Sequence, residues 1–269
     1  MTNGQIMQDA DRVSLPSSLA GKRGLVLGIA NDSSIAYGCA AAFRAAGAGL
    51  AITYLNDRTR DFTAPLAEAL GADIYLPCDV REEGQLEAVF GEIGRRWGSL
   101  DFVLHSIAYA PRDDLHGRVT DSSRDGFAMA MDVSCHSFIR CARLAEPLMR
   151  DGGTLLTVSF YGAEKVVEHY NMMGPVKAAL ESSARYMAAE LGRSGIRVHA
   201  LSPGPLRTRA ASGLDRFDEL LERAAAKAPQ HTLATIEDVG ALAAFLVGDG
   251  AKAMTGGIHY VDGGFNILG

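Results

Sequence analysis

The sequence predicts an α/β protein built on one doubly wound parallel sheet of about seven strands. Three observations carry this. Short apolar runs alternate with helical periodicity from residue 23 to the end of the chain. Most strand-like runs are continuously apolar, as expected of strands covered on both faces. The 269 residues, with 48% hydrophobic and 22% charged content, suit one large domain with a sizeable core. No repeat or low-complexity linker divides the chain, so the expected organisation is an N-terminal arm over 1–20 and a single domain over 21–269.

The expected strands are RGLVLG (23–28), GLAITY (49–54), DIYLPC (73–78), DFVLHS (101–106), GTLLTVS (153–159), IRVHALS (196–202) and GIHYVDG (257–263). Between them lie AYGCAAAFRAAG, the segment from Arg58 to Leu70, GQLEAVFGEIGRRW, and two long helical stretches near 122–149 and 164–192. In such sheets ligands bind beyond the C-terminal strand ends, where the strand order reverses.

Composition removes several function classes. A net charge of −6 argues against a nucleic-acid partner, which needs a basic face. No apolar run approaches the ~18 residues of a membrane span, and the polar N-terminus lacks a signal-peptide core. Cys39, Cys78, Cys135 and Cys141 show no metal-ligand spacing. They are expected to be reduced and mostly buried in a cytoplasmic protein.

Four consecutive strand ends carry ligand-type turns. The first runs into GIANDSSIA, where Gly28 permits a tight turn and Ser33 or Ser34 can cap a helix whose N-terminus suits a pyrophosphate. The second ends in TYLND, placing Asp57 where an acidic group can meet a ribose. The third ends in CDV, with Asp79 placed to accept from an adenine amino group. The fourth, HSIAYAP, has small residues around Ile107 and Ala108 that let backbone approach a flat ring. Each has a plainer reading as a helix cap or as packing. Together they point to a dinucleotide.

Tyr170 and Lys177 are seven residues apart, nearly two helical turns, which predicts one helix face and ~10 Å along its axis. A nicotinamide ribose fits between two such tips. Taken alone, the pair is also what an ordinary amphipathic helix shows; the upstream turns favour a site.

With these residues in hand, the chain from Gly21 onward resembles the short-chain dehydrogenase/reductase superfamily. Within it, the chain is similar to the enoyl-acyl carrier protein reductase branch. The motifs are GIANDSSIAYG, CDV, LHSIAYAP, YNMMGPVKAALE, LSPGPLRTRAASG, TIEDVG and TGGIHYVDGGF. Ordinary members use Tyr-x-x-x-Lys, whereas this branch uses Tyr-x-x-Met-x-x-x-Lys, matched by Tyr170, Met173 and Lys177. The resemblance implies a Rossmann-type fold and reduction of trans-2-enoyl thioesters on acyl carrier protein. Tyr170 would hydrogen-bond the enolate oxygen, and Lys177 would hold the ribose. Gly28, Ser34, Ile35, Asp79, Val80, Ser106 and Leu206 match cofactor-contacting positions, and Thr208 would face the pyrophosphate. It also implies a helical substrate lid at about 208–229. There Leu214, Phe217, Leu220 and Leu221 recur at helical spacing, with Tyr109, Phe160 and Met173 as further pocket walls. Arg207 and Arg209 would stand near an entrance for an acidic carrier protein. A homotetramer built on the two long helices follows from the same resemblance. Cys135, Phe138, Cys141 and Leu144 suit that contact, or the core.

One departure stands out. The branch usually has a tyrosine ten residues before the catalytic one; here that position is Phe160, followed by Tyr161. Neighbours on extended backbone point opposite ways, so Tyr161 is no automatic substitute. Two other functions therefore stay open: a weakly active dinucleotide-binding paralogue, and a reductase of another α,β-unsaturated carbonyl. NADH is expected over NADPH because Asp57 would repel a 2′-phosphate, although Arg58 and Arg60 lie close behind it.

Overall fold

In the computed structural model, which describes residues 18–208 and 217–268, the strands are β1 (Arg23–Leu27), β2 (Gly49–Tyr54), β3 (Ile74–Pro77), β4 (Phe102–His105), β5 (Gly153–Val158), β6 (Ile196–Pro203) and β7 (Ile258–Val261). They form one parallel sheet in the order β3-β2-β1-β4-β5-β6-β7. Each expected strand is present; β2 has the expected bounds and the others are trimmed or extended by a residue or two. The expected arm lies mostly outside the described residues.

Alternation along the strands divides the core in two. On one face, Val26, Leu50, Ile52 and Phe102 pack under helices α1 (Ile35–Ala45), α2 (Asp57–Ala69) and α9 (Ile236–Val247). On the other, Leu25, Val103 and Leu155 meet α3 (Gln85–Trp97), α6 (Ser137–Ala145) and α7 (Met173–Leu191). The strand order reverses between β1 and β4. Connections leave these two strands toward opposite flanks of the sheet and open a crevice at their C-terminal ends.

The two long helices expected near 122–149 and 164–192 differ from expectation. The first is broken into α5 (Arg124–Met131), a π-helical turn (Asp132–His136) and α6, with 3-10 turns at either end. The wider turn brings two serines onto the end of β4. Ser134 Oγ accepts from the Tyr109 N–H at 2.9 Å and donates to its carbonyl at 3.0 Å, while Ser137 Oγ lies 2.7 Å from His105 Nε2. π-Turns of this kind often accompany functional sites. Cys135, Phe138 and Cys141 are buried with Leu144 packed beside them, so of the two uses expected of this stripe the structure shows the core. All four cysteines are free and buried.

The second helix begins only at Met173. Residues 164–172 form turns, with His169 at φ 65° and Asn171 at φ 44°. Left-handed residues cannot continue an α-helix. Asn171 is a residue type that tolerates this region, and its Nδ2 donates to the Leu115 carbonyl at 2.9 Å. Tyr170 therefore precedes the helix that carries Lys177 and does not share a helical face with it.

Candidate active site

The site is assembled from successive strand ends. After β1, Gly28 has φ +104°, and a Cβ there would fall 2.0 Å from the Ser106 carbonyl oxygen. The chain leaving β1 thus touches the chain leaving β4, and a side chain at Gly28 would separate them. Ser34 is the N-cap residue of α1, but its hydroxyl donates back to the Asn31 carbonyl at 2.6 Å and caps nothing. The capping expected of Ser33 or Ser34 is absent, so no side chain occupies the amides that open α1.

After β2, Asn56 caps α2 in a reciprocal box with Thr59. Asp57, the first helical residue, is exposed and does not serve as the cap. After β3, Asp79 is buried; its N–H donates to Gln85 Oε1 at 2.8 Å, and its carboxylate is held by Arg81. Hydrogen bonding from Arg81, opposed by burial, holds that carboxyl below its usual range. The Val80 carbonyl accepts from Arg140 Nη2. At the end of β4, the fully buried His105 ring lies 3.2 Å from Thr157 Oγ1 through Nδ1, and burial drives it down to about 3, so it stays neutral.

Lys177 lies in the second turn of α7, 5% exposed, and its ammonium donates to the Val158 carbonyl at 2.6 Å. Desolvation lowers it to about 8, against weaker opposing effects from Cys135 and Glu181. One turn on, Glu181 Oε1 accepts from Ser159 Oγ at 2.6 Å. The end of β5 is therefore tied to α7 twice.

Tyr170 meets Phe160 edge-on, with ring centroids 4.8 Å apart. A Cβ on Gly162 would fall 2.5 Å from the Tyr170 ring, so that glycine lets the ring sit where it does. Burial, aided by the charge on Glu181, raises the phenol, which stays protonated and able to donate at neutral pH. Tyr161 points the other way, buried 5.6 Å from the Phe265 ring. It does not replace the missing hydroxyl at position 160.

These groups face a cavity of about 340 Å³. Of the expected residues, Ile35, Ala108, Tyr109, Phe160, Tyr170, Met173, Lys177, Leu206 and Thr208 line it. Gly28, Ser34, Asp79, Val80, Ser106 and Ile107 do not; they follow the ends of β1, β3 and β4. Leu214 lies outside the described residues. Phe217 opens α8 (Phe217–Lys227), but its side chain lies outside them too. From that helix Leu220 reaches the cavity, while Leu221 is buried. Sequence reading missed Leu115, Val158 and Ser159 on the wall, and Glu181 behind it. No spacing signals a carbonyl or a buried serine. Glu181 alone offered a hint, as a carboxylate on the inner face of α7.

A family model described as Enoyl-(Acyl carrier protein) reductase matches residues 28–266. The chain belongs to that family. It is 46% identical over 249 residues to the NADH-type enoyl-acyl-carrier-protein reductase 1 of Rhizobium meliloti, covering 93% of this chain and 92% of the relative. The corresponding Escherichia coli enzyme is 44% identical over 250 residues, covering 93% and 95%. Among solved structures, the Anaplasma phagocytophilum enoyl reductase in complex with NAD superposes with a TM-score of 0.90 at 43% identity, covering 96% of this chain and 98% of that one.

The residues of this enoyl reductase fit a dinucleotide. The backbone at Gly28 is bare, the start of α1 is uncapped by side chains, and a buried ammonium stands at the cavity. Among the described residues no cluster of His, Cys, Asp or Glu could hold a metal, and no helix is long and apolar enough to cross a membrane.

Proposed function

We propose that this protein reduces the carbon–carbon double bond of trans-2-enoyl chains on acyl carrier protein, with NADH as reductant, in fatty acid synthesis. One observation carries the reading beyond family membership. The protonated Tyr170 phenol and the buried Lys177 ammonium face a cavity whose other walls include Ala108, Tyr109, Leu115, Phe160, Met173, Leu206 and Leu220. That suits a long apolar chain bearing one carbonyl.

NADH, when bound, supplies hydride to the β-carbon. The protein's part is to hold and to stabilise. Gly28, Ser34, Ile35, Asp79, Val80, Ser106, Ile107, Ala108, Leu206 and Thr208 would hold the cofactor, with Lys177 on the ribose hydroxyls. Tyr170 would donate to the thioester oxygen as negative charge gathers there, an interaction strongest in the transition state. Met173 has no proton to give and acts as wall. α8 would belong to the lid, with Leu220 against the acyl chain. Arg207 is paired with Asp218 at 2.9 Å on the surface, where it would meet an acidic carrier.

The reading includes a homotetramer in the cytoplasm. Exposed Phe127, Met129, Ile139 and Tyr186 on α5, α6 and α7 support packing between copies, and four reduced cysteines support the compartment. The experiment is NADH oxidation followed at 340 nm, a wavelength set by the cofactor, with crotonyl and longer enoyl chains on acyl carrier protein. Rapid oxidation that lengthening the chain improves is expected. Cofactor binding without turnover would favour the paralogue. Turnover only with other unsaturated carbonyls would move the substrate class.

A further inference from the structure

Arg81 engages both carboxylate oxygens of Asp79 through three N–H groups. Its backbone N–H and Nε each reach Oδ1 at 3.0 Å, while Nη2 and the shared Nε reach Oδ2 at 2.6 and 3.2 Å. An ionised carboxylate offers about four lone-pair sites, so these contacts take up most of its accepting capacity. The two partners are held very differently. The Asp79 side chain is 11% exposed, with its N–H fixed by Gln85 and the next carbonyl fixed by Arg140. The Arg81 side chain is 45% exposed, and its guanidinium rests 5.7 Å from the centroid of the Tyr109 ring on the cavity wall. The acceptor is rigid and the donor is free to leave.

We infer that Arg81 is a latch on the adenine site. Its guanidinium occupies the acceptor that the exocyclic amino group of adenine requires, so NADH binds as Arg81 swings off Asp79. Arg81 thereby sets cofactor affinity. The inference rests on reading Asp79 as the adenine acceptor. Because the Arg81 guanidinium is half exposed and regains water on leaving, while the adenine amino group takes its place on Asp79, the exchange costs only a few-fold in affinity. Arg81 also leaves the face of Tyr109 in that exchange, which couples occupation of the adenine site to the substrate wall.

The test compares dissociation constants, by fluorescence titration, for NADH and for reduced nicotinamide hypoxanthine dinucleotide, which carries an oxygen in place of the amino group. Wild type, Arg81→Ala and Arg81→Gln are measured, with thermal melts to confirm folding. Both variants should bind NADH about two- to fivefold more tightly than wild type. The hypoxanthine analogue, with an acceptor oxygen in place of the 6-amino donor that Asp79 would receive, should gain nothing. Unchanged or weaker NADH binding, with the analogue still disfavoured, would leave the adenine placement intact and overturn the latch. Equal gains for both dinucleotides, or no discrimination between them in either variant, would overturn the adenine placement and the latch with it.

Discussion

Lys177 and Tyr170 stand seven residues apart and are held by opposite means. Lys177 sits inside a 19-residue helix, buried, with its ammonium tied to the Val158 carbonyl. Tyr170 sits between two left-handed residues, propped by the edge of Phe160 and by the bare backbone of Gly162. A helix fixes its residue through local hydrogen bonds, and the Lys177 ammonium is tied in addition to the Val158 carbonyl. A turn held by distant contacts fixes its residue only while those contacts survive. On the proposed roles, the site combines a rigid cofactor anchor with a donor whose aim depends on its neighbours.

The largest effect is expected of Lys177→Ala. On the proposed roles it removes a charge-assisted hydrogen bond to the ribose, about 1.5–3 kcal/mol, together with the internal tie that holds the end of β5 against α7. The expected loss in kcat/KM for NADH is about 10²-fold or somewhat more, expressed chiefly as weakened cofactor binding. The same group gives a pH signature. Burial lowers Lys177 from 10.5 to about 8, so the folded cofactor-free protein sheds this proton while the unfolded chain keeps it. Stability contributed by this group therefore rises with pH between those values. NADH affinity runs the other way and should fall as pH rises through about 8. Titration of NADH binding from neutral to alkaline pH checks both the direction and the window; Lys177→Met should lack the decline.

A smaller effect is expected on the tyrosine side. Gly162→Ala puts a methyl against the Tyr170 ring and should turn the phenol away from the thioester oxygen. A misplacement near 1 Å costs roughly 10²-fold in kcat, while stability should stay within about 1 kcal/mol of wild type. Retained turnover in this variant would mean that the turn repositions the ring freely. Smallest of all is Phe160→Tyr. If Tyr170 alone donates, restoring the hydroxyl should change kcat by less than tenfold, about 1.4 kcal/mol. Phe160→Ala should be far worse, because it removes the edge on which Tyr170 rests.

The sheet and its order-reversing crevice were legible because continuous apolar runs such as GLAITY have few other uses in a chain this size. The anchor was legible too: Lys177 keeps the helical register of α7. Tyr170 was misplaced, since periodicity carried backward from that helix cannot register the left-handed pair at 169 and 171, and the contact from Asn171 to Leu115 spans 56 residues. The π-turn at 132–136 escaped for a similar reason. Nothing in MDVSCHS states that two of its serines must reach the end of β4. The wall residues Val158 and Ser159 act through a carbonyl and a buried hydroxyl, which only a folded chain brings into register.

In the proposed mechanism Tyr170, outside the helix, meets charge that exists only during the reaction. Pre-steady-state measurement of Tyr170→Phe with NADH and an enoyl-acyl carrier protein tests it most directly. The substitution leaves the ring, its edge contact with Phe160 and the cofactor anchor in place. A 10²- to 10³-fold slower hydride-transfer step is expected, with NADH binding unchanged within about twofold, well under 1 kcal/mol. An unaltered hydride-transfer rate, or a defect confined to NADH binding, would contradict it.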